Sequence, residues 1–358
     1  MTQALASFGG WRATLAQLAS HAELAPEHAA AAVEDILSGS ASDAQIGGFL
    51  VGLATRGATS SEVAAMVDVL LAHATELELP DTAATVDIVG TGGSPLRQDR
   101  AFNVSTAACF VVAGAGVPVC KHGNRKASSS SGSTDVLEAL GIAVELDGPA
   151  VARCVAEAGL GFAFARAFHP AMRFAGPVRA ELGIPTVFNL LGPLSHPGRV
   201  NRQLIGVADP TVAPMVADVL ARRGAPRAMV VHGSDGLDEL TLAGPSQIWE
   251  VIRGEVSDWT VDPSDLGLVV TDVESLGAGS PEANAEAVRG VLGAAQDSEL
   301  ERGRRDLVCL NAAAGLVVAG AAGDLVEGLV MARASIDSGE AQACLDRLIQ
   351  VSVVPPTN

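Results

Sequence analysis

Both lysines of this 358-residue chain, Lys121 and Lys126, fall in one short stretch, "KHGNRKASSSSGSTDVLEALG", residues 121–141. The preceding "VPVC" reads as a strand. Lys121, His122, Asn124 and Arg125 therefore come off a strand's carboxyl end, where open α/β sheets hold their ligands. The serine-rich loop that follows, Ser129 included, runs into a helix announced by Ser133, Asp135 and Glu138 and closed by Gly141. Cationic groups, hydroxyls and free N–H groups in that order suit a phosphate group. The alternative is a solvated basic turn followed by an ordinary helix cap.

A second stretch repeats the design without the charge. In "VDIVGTGGSPLRQDRAFNVSTAACFV" a strand ends at Val89, glycines follow at Gly90, Gly92 and Gly93, and a helix begins near Asn103 to Ser105. Glycines let a backbone approach a bound group closely, and the N–H groups of a helix start favour an anion. Pro95 rules out the dinucleotide G-x-G-x-x-G pattern, and no Gly-Lys-Ser/Thr follows to make a Walker loop. A third stretch, "VVHGSDGLDELTL", ends a strand at His232 and offers Asp235, Asp238 and Glu239 on a loop. Adjacent hard carboxylates opposite a phosphate cradle suit Mg²⁺, which binds through one or two carboxylates plus substrate phosphates. Arg173 and Arg179, six residues apart in "FHPAMRFAGPVRAELG", could fork onto a carboxylate. His122 and His169 are candidates for lining a pocket. His21, His28, His73 and His196 lack partners at ligand or triad spacing.

The elements that must position these residues follow from periodicity. Residues 11 to about 78 carry apolar positions at helical spacing and no β-branched alternation, which predicts a small all-helical module. From residue 85 short β-branched runs ("TVDIV", "VPVC", "IAVEL", "GFAFA", "QLIGVA", "AMVVHG") alternate with helical stretches, the pattern of βαβ units and a mainly parallel sheet. The helical "HPAMRFAGPVRAELG" and the Pro/Gly-punctuated "PTVFNLLGPLSHPG" interrupt that alternation and are expected to return to the helical module. A hairpin is expected in "LTLAGPSQIWEVIRG", with closing helices from about residue 283. The expected domains are 1–80, with a returning segment near 175–200, and 81–358.

Composition bounds the function. With 48% hydrophobic residues the chain can build one large or two moderate cores, and a soluble globular fold is expected. A net charge of -18 repels phosphate backbones and anionic lipid, so neither nucleic acid nor a membrane is an expected partner. An anionic substrate needs a local cationic patch, which the Lys121 stretch provides. The five cysteines show neither a disulfide framework nor metal spacing and are expected to be buried thiols. The opening residues lack a basic region followed by an apolar core. The longest apolar runs, in 107–120 and 310–323, fall short of the ~20 residues a membrane span needs. A cytoplasmic protein is expected.

"DIVGTGG", "NVST", "KHGNR", "SGSTDVLEALG", "FHPAMR", "RAELGIPTVFNLLGPL" and "VHGSDGLDEL", in this order, resemble the anthranilate phosphoribosyltransferase family of tryptophan biosynthesis. The resemblance implies a small all-helical domain with a large α/β domain of the nucleoside phosphorylase and phosphoribosyltransferase type. It implies transfer of 5-phosphoribosyl from its 1-diphosphate to the amine of anthranilate, with Mg²⁺, in a homodimer joined through the helical domains. Carried over by position, Gly90, Gly93, Asn103, Ser105, Thr106, Lys121 and Ser133 match donor-binding residues. Ser105, Asp238 and Glu239 match metal positions. Asn124 and Arg179 match acceptor positions, with His122 close by, and Lys121, Asn124 and Arg179 are the expected catalytic set. Ser94, Gly123, Arg125 and Ser129 complete the expected substrate contacts. The chain departs from the family pattern at Ser94, where Asp is usual, at Ala101, where Thr is usual, and in a longer 94–102 segment carrying Arg97 and Arg100. Two alternatives stay open at this point: a relative of the same fold using another acceptor, and a non-catalytic binding protein.

Overall fold

The computed structural model describes residues 1–92, 94, 102–124, 132–294 and 296–354. Five helices come first: α1 (Gln3–Ser7), α2 (Gly10–Ala19), α3 (Pro26–Leu37), α4 (Asp43–Arg56) and α5 (Ser60–Ala72). Strands and helices then alternate through β1 (Val86–Gly90), α6 (Val104–Gly114), β2 (Val119–Gly123), α7 (Ser133–Leu140), α8 (Gly148–Ala158) and β3 (Leu160–Phe164). Three short helices follow, α9 (Ala165–Phe168), α10 (Gly176–Leu182) and α11 (Val187–Leu194). After β4 (Arg202–Gly206), α12 (Ala213–Arg222) and β5 (Arg227–Gly233) come the paired β6 (Ser246–Ile252) and β7 (Glu255–Val261). The closing helices are α13 (Pro281–Leu292), α14 (Glu299–Ala319), α15 (Leu325–Asp337) and α16 (Glu340–Ser352). The chain divides into two compact units, Met1–Glu76 with Arg166–Pro197, and Leu77–Ala165 with Gly198–Asn358.

In the helical unit the caps are written locally. Ser42 and Thr59 each open a helix with a reciprocal box to Gln45 and Glu62. The apolar stripes of α2 to α5 bury Trp11, Ile36, Phe49, Leu50 and Met66. Two carboxylates are buried with them. Asp35 accepts from the Trp11 indole at 2.6 Å and from the Thr2 N–H. Glu62 receives the Arg56 guanidinium and the N–H groups of Thr59 at 2.7 Å and Leu24 at 2.8 Å. Burial alone would raise the Glu62 pKa; Arg56 and the two amides outweigh it and hold the carboxyl below its ordinary value.

The second unit is built on a seven-stranded sheet in the order β3-β2-β1-β4-β5-β6-β7. The first five strands are parallel and β6 and β7 run antiparallel. Strands β1 to β5 are buried along most of their length; α14 buries every residue from Leu307 to Val318. All five cysteines are buried and outside any disulfide, and burial pushes the Cys109 thiol up to about 12.

Two expected elements fall elsewhere. "IAVEL" forms no strand: Gly141 ends α7 and Asp147 caps α8, and in the short link between them the Ala143 N–H donates to Ser352 Oγ at 3.1 Å rather than to a ladder. The hairpin is formed by the second part of that stretch, β6, with the segment after it, β7, and turns at Arg253 and Gly254. Leu240 and Leu242 are buried in the core, and the Thr241 N–H is held by Ser246 Oγ at 3.0 Å.

Candidate active site

The chain lays down β2 and β3 on one side of β1 and then crosses to place β4 on the other. The order reverses at β1, and the crevice outside the carboxyl ends of strands at such a reversal is where parallel sheets bind ligands. Gly90 and Gly206, the last residues of β1 and β4, are paired there in register. The loop after β5 crosses both of them. A Cβ at Gly90 would collide with the Asp238 carboxylate, and one at Gly206 with the Asp238 backbone carbonyl. Glycine at the two strand ends is thus what admits the carboxylate loop to the crevice.

Asp238 and Glu239 are both buried, at 2% and 4% exposure, although each carries a formal charge. Asp238 Oδ2 accepts from the Gly92 N–H at 3.0 Å, and Glu239 Oε1 from the Ser105 N–H at 3.0 Å. The loop that carries them is tied from both sides. Asp235 accepts from the Leu237 N–H at 3.2 Å and from Thr241 Oγ1 at 2.7 Å, so this third carboxylate of the motif braces the turn. Asn311, buried in α14, receives the Leu240 N–H at 3.0 Å and donates to the Leu240 carbonyl at 2.9 Å.

Lys121 lies in β2 and is 3% exposed. Its ammonium donates to the Ile88 carbonyl and, at 3.3 Å, to Ser105 Oγ. Among the described residues no carboxylate pairs with it. The neighbouring His122 N–H donates to Asp87 Oδ1 at 3.1 Å, and Gln203 Nε2 to Asp87 Oδ2 at 3.2 Å, which fixes the end of β2 against β1 and β4. A Cβ on Gly123 would stand 2.7 Å from Ser133 Oγ, and that hydroxyl donates to the Asn124 carbonyl at 3.4 Å. The strand end and the start of α7 therefore meet directly.

The start of α6 differs in detail from the expected set of free amides. The Asn103 N–H is taken by Asn284 Oδ1 at 3.0 Å and the Ser105 N–H by Glu239. Asn103 Oδ1 and Thr106 Oγ1 are buried and have no hydrogen-bond partner among the described residues. Buried polar atoms of this kind demand a partner, and here both sit at the positive end of a helix. Ser94 Oγ donates to the Gly236 carbonyl at 2.8 Å, linking the first loop to the third. Gly93, Arg125 and Ser129 lie outside the described residues, as do Lys126, Arg97, Arg100 and Ala101.

The donor set also fits a hard cation. No cluster of three or more His, Cys, Asp or Glu side chains suited to a metal occurs among the described residues. Two buried carboxylates beside a hydroxyl are instead what Mg²⁺ uses when phosphate oxygens and water complete its shell.

Arg179 belongs to the helical unit. Its guanidinium lies 5.5 Å from the Phe188 ring centroid, with Nη2 3.5 Å from Asn189 Oδ1, and burial lowers its pKa. Arg173 is occupied by its own turn, over Phe174 and donating to the Pro170 carbonyl at 3.2 Å. His169 Nε2 lies 3.0 Å from the Ser195 carbonyl; burial pulls its pKa down to about 4 and His196 lowers it further, against the opposing pull of that carbonyl. His28 meets Thr14 and stacks on Phe8, a core arrangement.

Gly206, Asn284 and Asn311 were not expected from sequence. "QLIG" ends a strand in glycine as "DIVG" does, a signal that was present. The two asparagines carry only the weak signal of an amide inside an apolar helix.

Comparison with known proteins identifies the family. The descriptions "Glycosyl transferase family, helical bundle domain" and "Glycosyl transferase family, a/b domain" match residues 12–74 and 82–342. An anthranilate phosphoribosyltransferase of Thermomicrobium roseum is 50% identical over 92% of this chain and 92% of its own. One from Xanthobacter autotrophicus is 46% identical over 94% and 95%. The crystal structure of anthranilate phosphoribosyltransferase from Thermus thermophilus superposes with a TM-score of 0.88 at 39% identity, covering 95% of this chain and 99% of that one. The Saccharomyces cerevisiae enzyme, solved in complex with PRPP and Mg, gives a TM-score of 0.84 at 26% identity, covering 96% and 99%.

Proposed function

This chain belongs to the anthranilate phosphoribosyltransferase family, and from that premise we propose that it transfers the 5-phosphoribosyl group of 5-phosphoribosyl 1-diphosphate to the amine of anthranilate, as in tryptophan biosynthesis. The carrying observation is the convergence at one sheet reversal of a buried ammonium, Lys121, two buried carboxylates, Asp238 and Glu239, and a helix start with two buried polar atoms in need of partners.

In the proposed reaction the bond from the anomeric carbon to diphosphate breaks, its electron pair leaves with the diphosphate, and the amine nitrogen forms the new bond. The resulting ammonium then sheds a proton to water. Lys121 is assigned to stabilise charge gathering on the leaving group, a role that preorganised charge performs best in a buried site. An arylamine is already a nucleophile, so no strong base is required. Asn103, Thr106 and Ser133 are assigned to the donor, and Gly90 and Gly123 join them by family position. Asp238 and Glu239, with Ser105, are assigned to Mg²⁺, which when bound supplies further positive charge to the diphosphate. The S. cerevisiae relative solved with PRPP and Mg supports this assignment. Asn124 and Arg179 are assigned to the acceptor, Arg179 to its carboxylate. Gly93, Arg125 and Ser129 keep their donor assignments by family position alone.

A homodimer joined through the helical unit and a cytoplasmic location are further parts of the proposal. No helix among the described residues is long and apolar enough to cross a membrane. The test is direct: anthranilate fluorescence should decay on adding the full chain with donor and Mg²⁺, and not when any one is omitted. Decay with another arylamine but not with anthranilate would move the chain to a different acceptor.

A further inference from the structure

The start of α6 is held from behind by the C-terminal helices. Asn284, in α13, is fully buried. Its Oδ1 accepts the Asn103 N–H at 3.0 Å, and its Nδ2 donates to the carbonyls of Gly279 at 3.3 Å and Ser280 at 3.1 Å. One residue earlier, Phe102 is buried beneath Arg304, whose guanidinium carbon lies 5.6 Å from the ring centroid. Arg304 in turn donates to the carbonyls of Leu276 at 2.8 Å and Gly277 at 2.7 Å. Residues 276–284 and Arg304 thus grip Phe102 and Asn103 at two adjacent points.

Asn103 is the cap residue of α6 but makes no side-chain cap bond of its own, and its backbone stands at φ -82, ψ 69, outside the helix. An ordinary N-cap asparagine turns its side-chain oxygen onto the amides of the first turn. Here Asn284 supplies an oxygen to the Asn103 amide, and the Asn103 Oδ1 is left buried without a hydrogen-bond partner among the described residues. The external acceptor does what the residue's own geometry does not: it fixes the cap backbone while leaving the carboxamide oxygen to receive a hydroxyl of a ligand.

We propose that Asn284 is a positioning residue for the phosphoribosyl donor, holding Asn103 so that its carboxamide oxygen is available to a donor hydroxyl. The inference rests on the reading of this crevice as the donor site. Asn284 is far from Asn103 in sequence and touches no reacting atom; it acts through the Asn103 amide.

The experiment compares the parent full chain with Asn284→Leu and Asn284→Asp. Three readouts are taken: steady-state kinetics for both substrates, donor binding with Mg²⁺ by calorimetry, and backbone amide exchange over residues 102–106. Asn284→Leu is expected to weaken donor binding and raise the donor KM about tenfold, the worth of one buried hydrogen bond. The acceptor KM should stay at the parent value, and exchange at Asn103 should quicken. Asn284→Asp keeps an oxygen facing that amide, so exchange at Asn103 should stay slow; this carries the test should the leucine variant fail to fold. Donor and acceptor KM rising together, an unchanged donor KM, or fast exchange at Asn103 in Asn284→Asp would each overturn the proposal. A parent that binds no donor at all would instead overturn the reading of the crevice.

Discussion

Glu62 in the helical unit and Glu239 in the α/β unit are equally inaccessible to water, yet they are buried on different terms. Glu62 is enclosed by a guanidinium and two backbone amides from three parts of its own unit. Glu239 meets the Ser105 amide, and the nearby Lys121 donates to a carbonyl and a hydroxyl without closing onto a carboxylate. Desolvating a charge is expensive unless the protein pairs it. Closing a carboxylate onto a guanidinium uses burial for stability; gathering a buried ammonium and two buried carboxylates at one sheet reversal uses it for chemistry.

The comparison breaks most visibly at Glu62. Glu62→Ala leaves Arg56 buried without its partner and is expected to destabilise the folded chain by about 3–5 kcal/mol, read by urea unfolding. Turnover per folded molecule should be unchanged. The sign of the acid response follows: a carboxyl whose folded pKa is depressed contributes stability above its unfolded pKa, and that contribution is lost as pH falls through the folded value. Acid titration of unfolding should therefore be shallower in Glu62→Ala than in the parent. An activity loss as large as the stability loss would erase the distinction between the two carboxylates.

The opposite pattern is expected at the crevice. Asp238→Asn combined with Glu239→Gln keeps shape and the amide-facing oxygens but removes two negative charges. It should lower kcat about 100- to 1,000-fold, the scale of removing one preorganised electrostatic contact, while the unfolding midpoint holds or rises. Near-parental turnover at low Mg²⁺ would withdraw the metal role from this pair.

Arg179 sharpens the contrast because it is a half-buried cation in the helical unit that is not closed onto a carboxylate as Arg56 is. Its hydrogen bond to Asn189 Oδ1 is long, at 3.5 Å, and the Phe188 ring lies beside it. Arg179→Ala is expected to raise the acceptor KM about 10- to 150-fold, the loss of a charge-assisted hydrogen bond, with the donor KM unchanged. Equal kinetics with both substrates would place Arg179 with Arg56 as a structural cation.

Why some of this was legible beforehand is physical. The α/β order, the glycine loop, the Lys121 strand end and the Asp238–Glu239 pair are encoded in contiguous residues, because strand, turn and helix start must follow one another along the chain. What escaped was long-range. Asn284 meets Asn103 and Asn311 meets Leu240 across wide sequence separations, and no local pattern tells a bridging asparagine from one that caps its own helix. The "IAVEL" error is of the same kind: its residues suit a strand, but Ser352 satisfies the backbone amide of Ala143. Gly206 lies between these cases, visible as a strand-end glycine and understood only through the loop that crosses it.

The smallest expected effect is at Ser94, where the family pattern has a carboxylate. A missing carboxylate there weakens any metal ion held beside it, and Arg97 and Arg100, the cations that could compensate, lie outside the described residues. The structure gives Ser94 a definite partner: buried at 4% exposure, its Oγ donates to the Gly236 carbonyl at 2.8 Å. Gly236 precedes Asp238 in the carboxylate loop, so this one bond couples the first loop to the third. Ser94→Ala removes it and should raise the donor KM about fivefold, roughly 1 kcal/mol, with little change in kcat. Ser94→Asp loses the same bond and sets a carboxylate against a carbonyl, so at low Mg²⁺ it should bind donor more weakly than the alanine variant. A cation drawn to the new carboxylate relieves that repulsion, and donor binding by Ser94→Asp should therefore recover with rising Mg²⁺ and overtake Ser94→Ala. If the two variants instead titrate in parallel, the position is a tie between loops and takes no part in handling the metal.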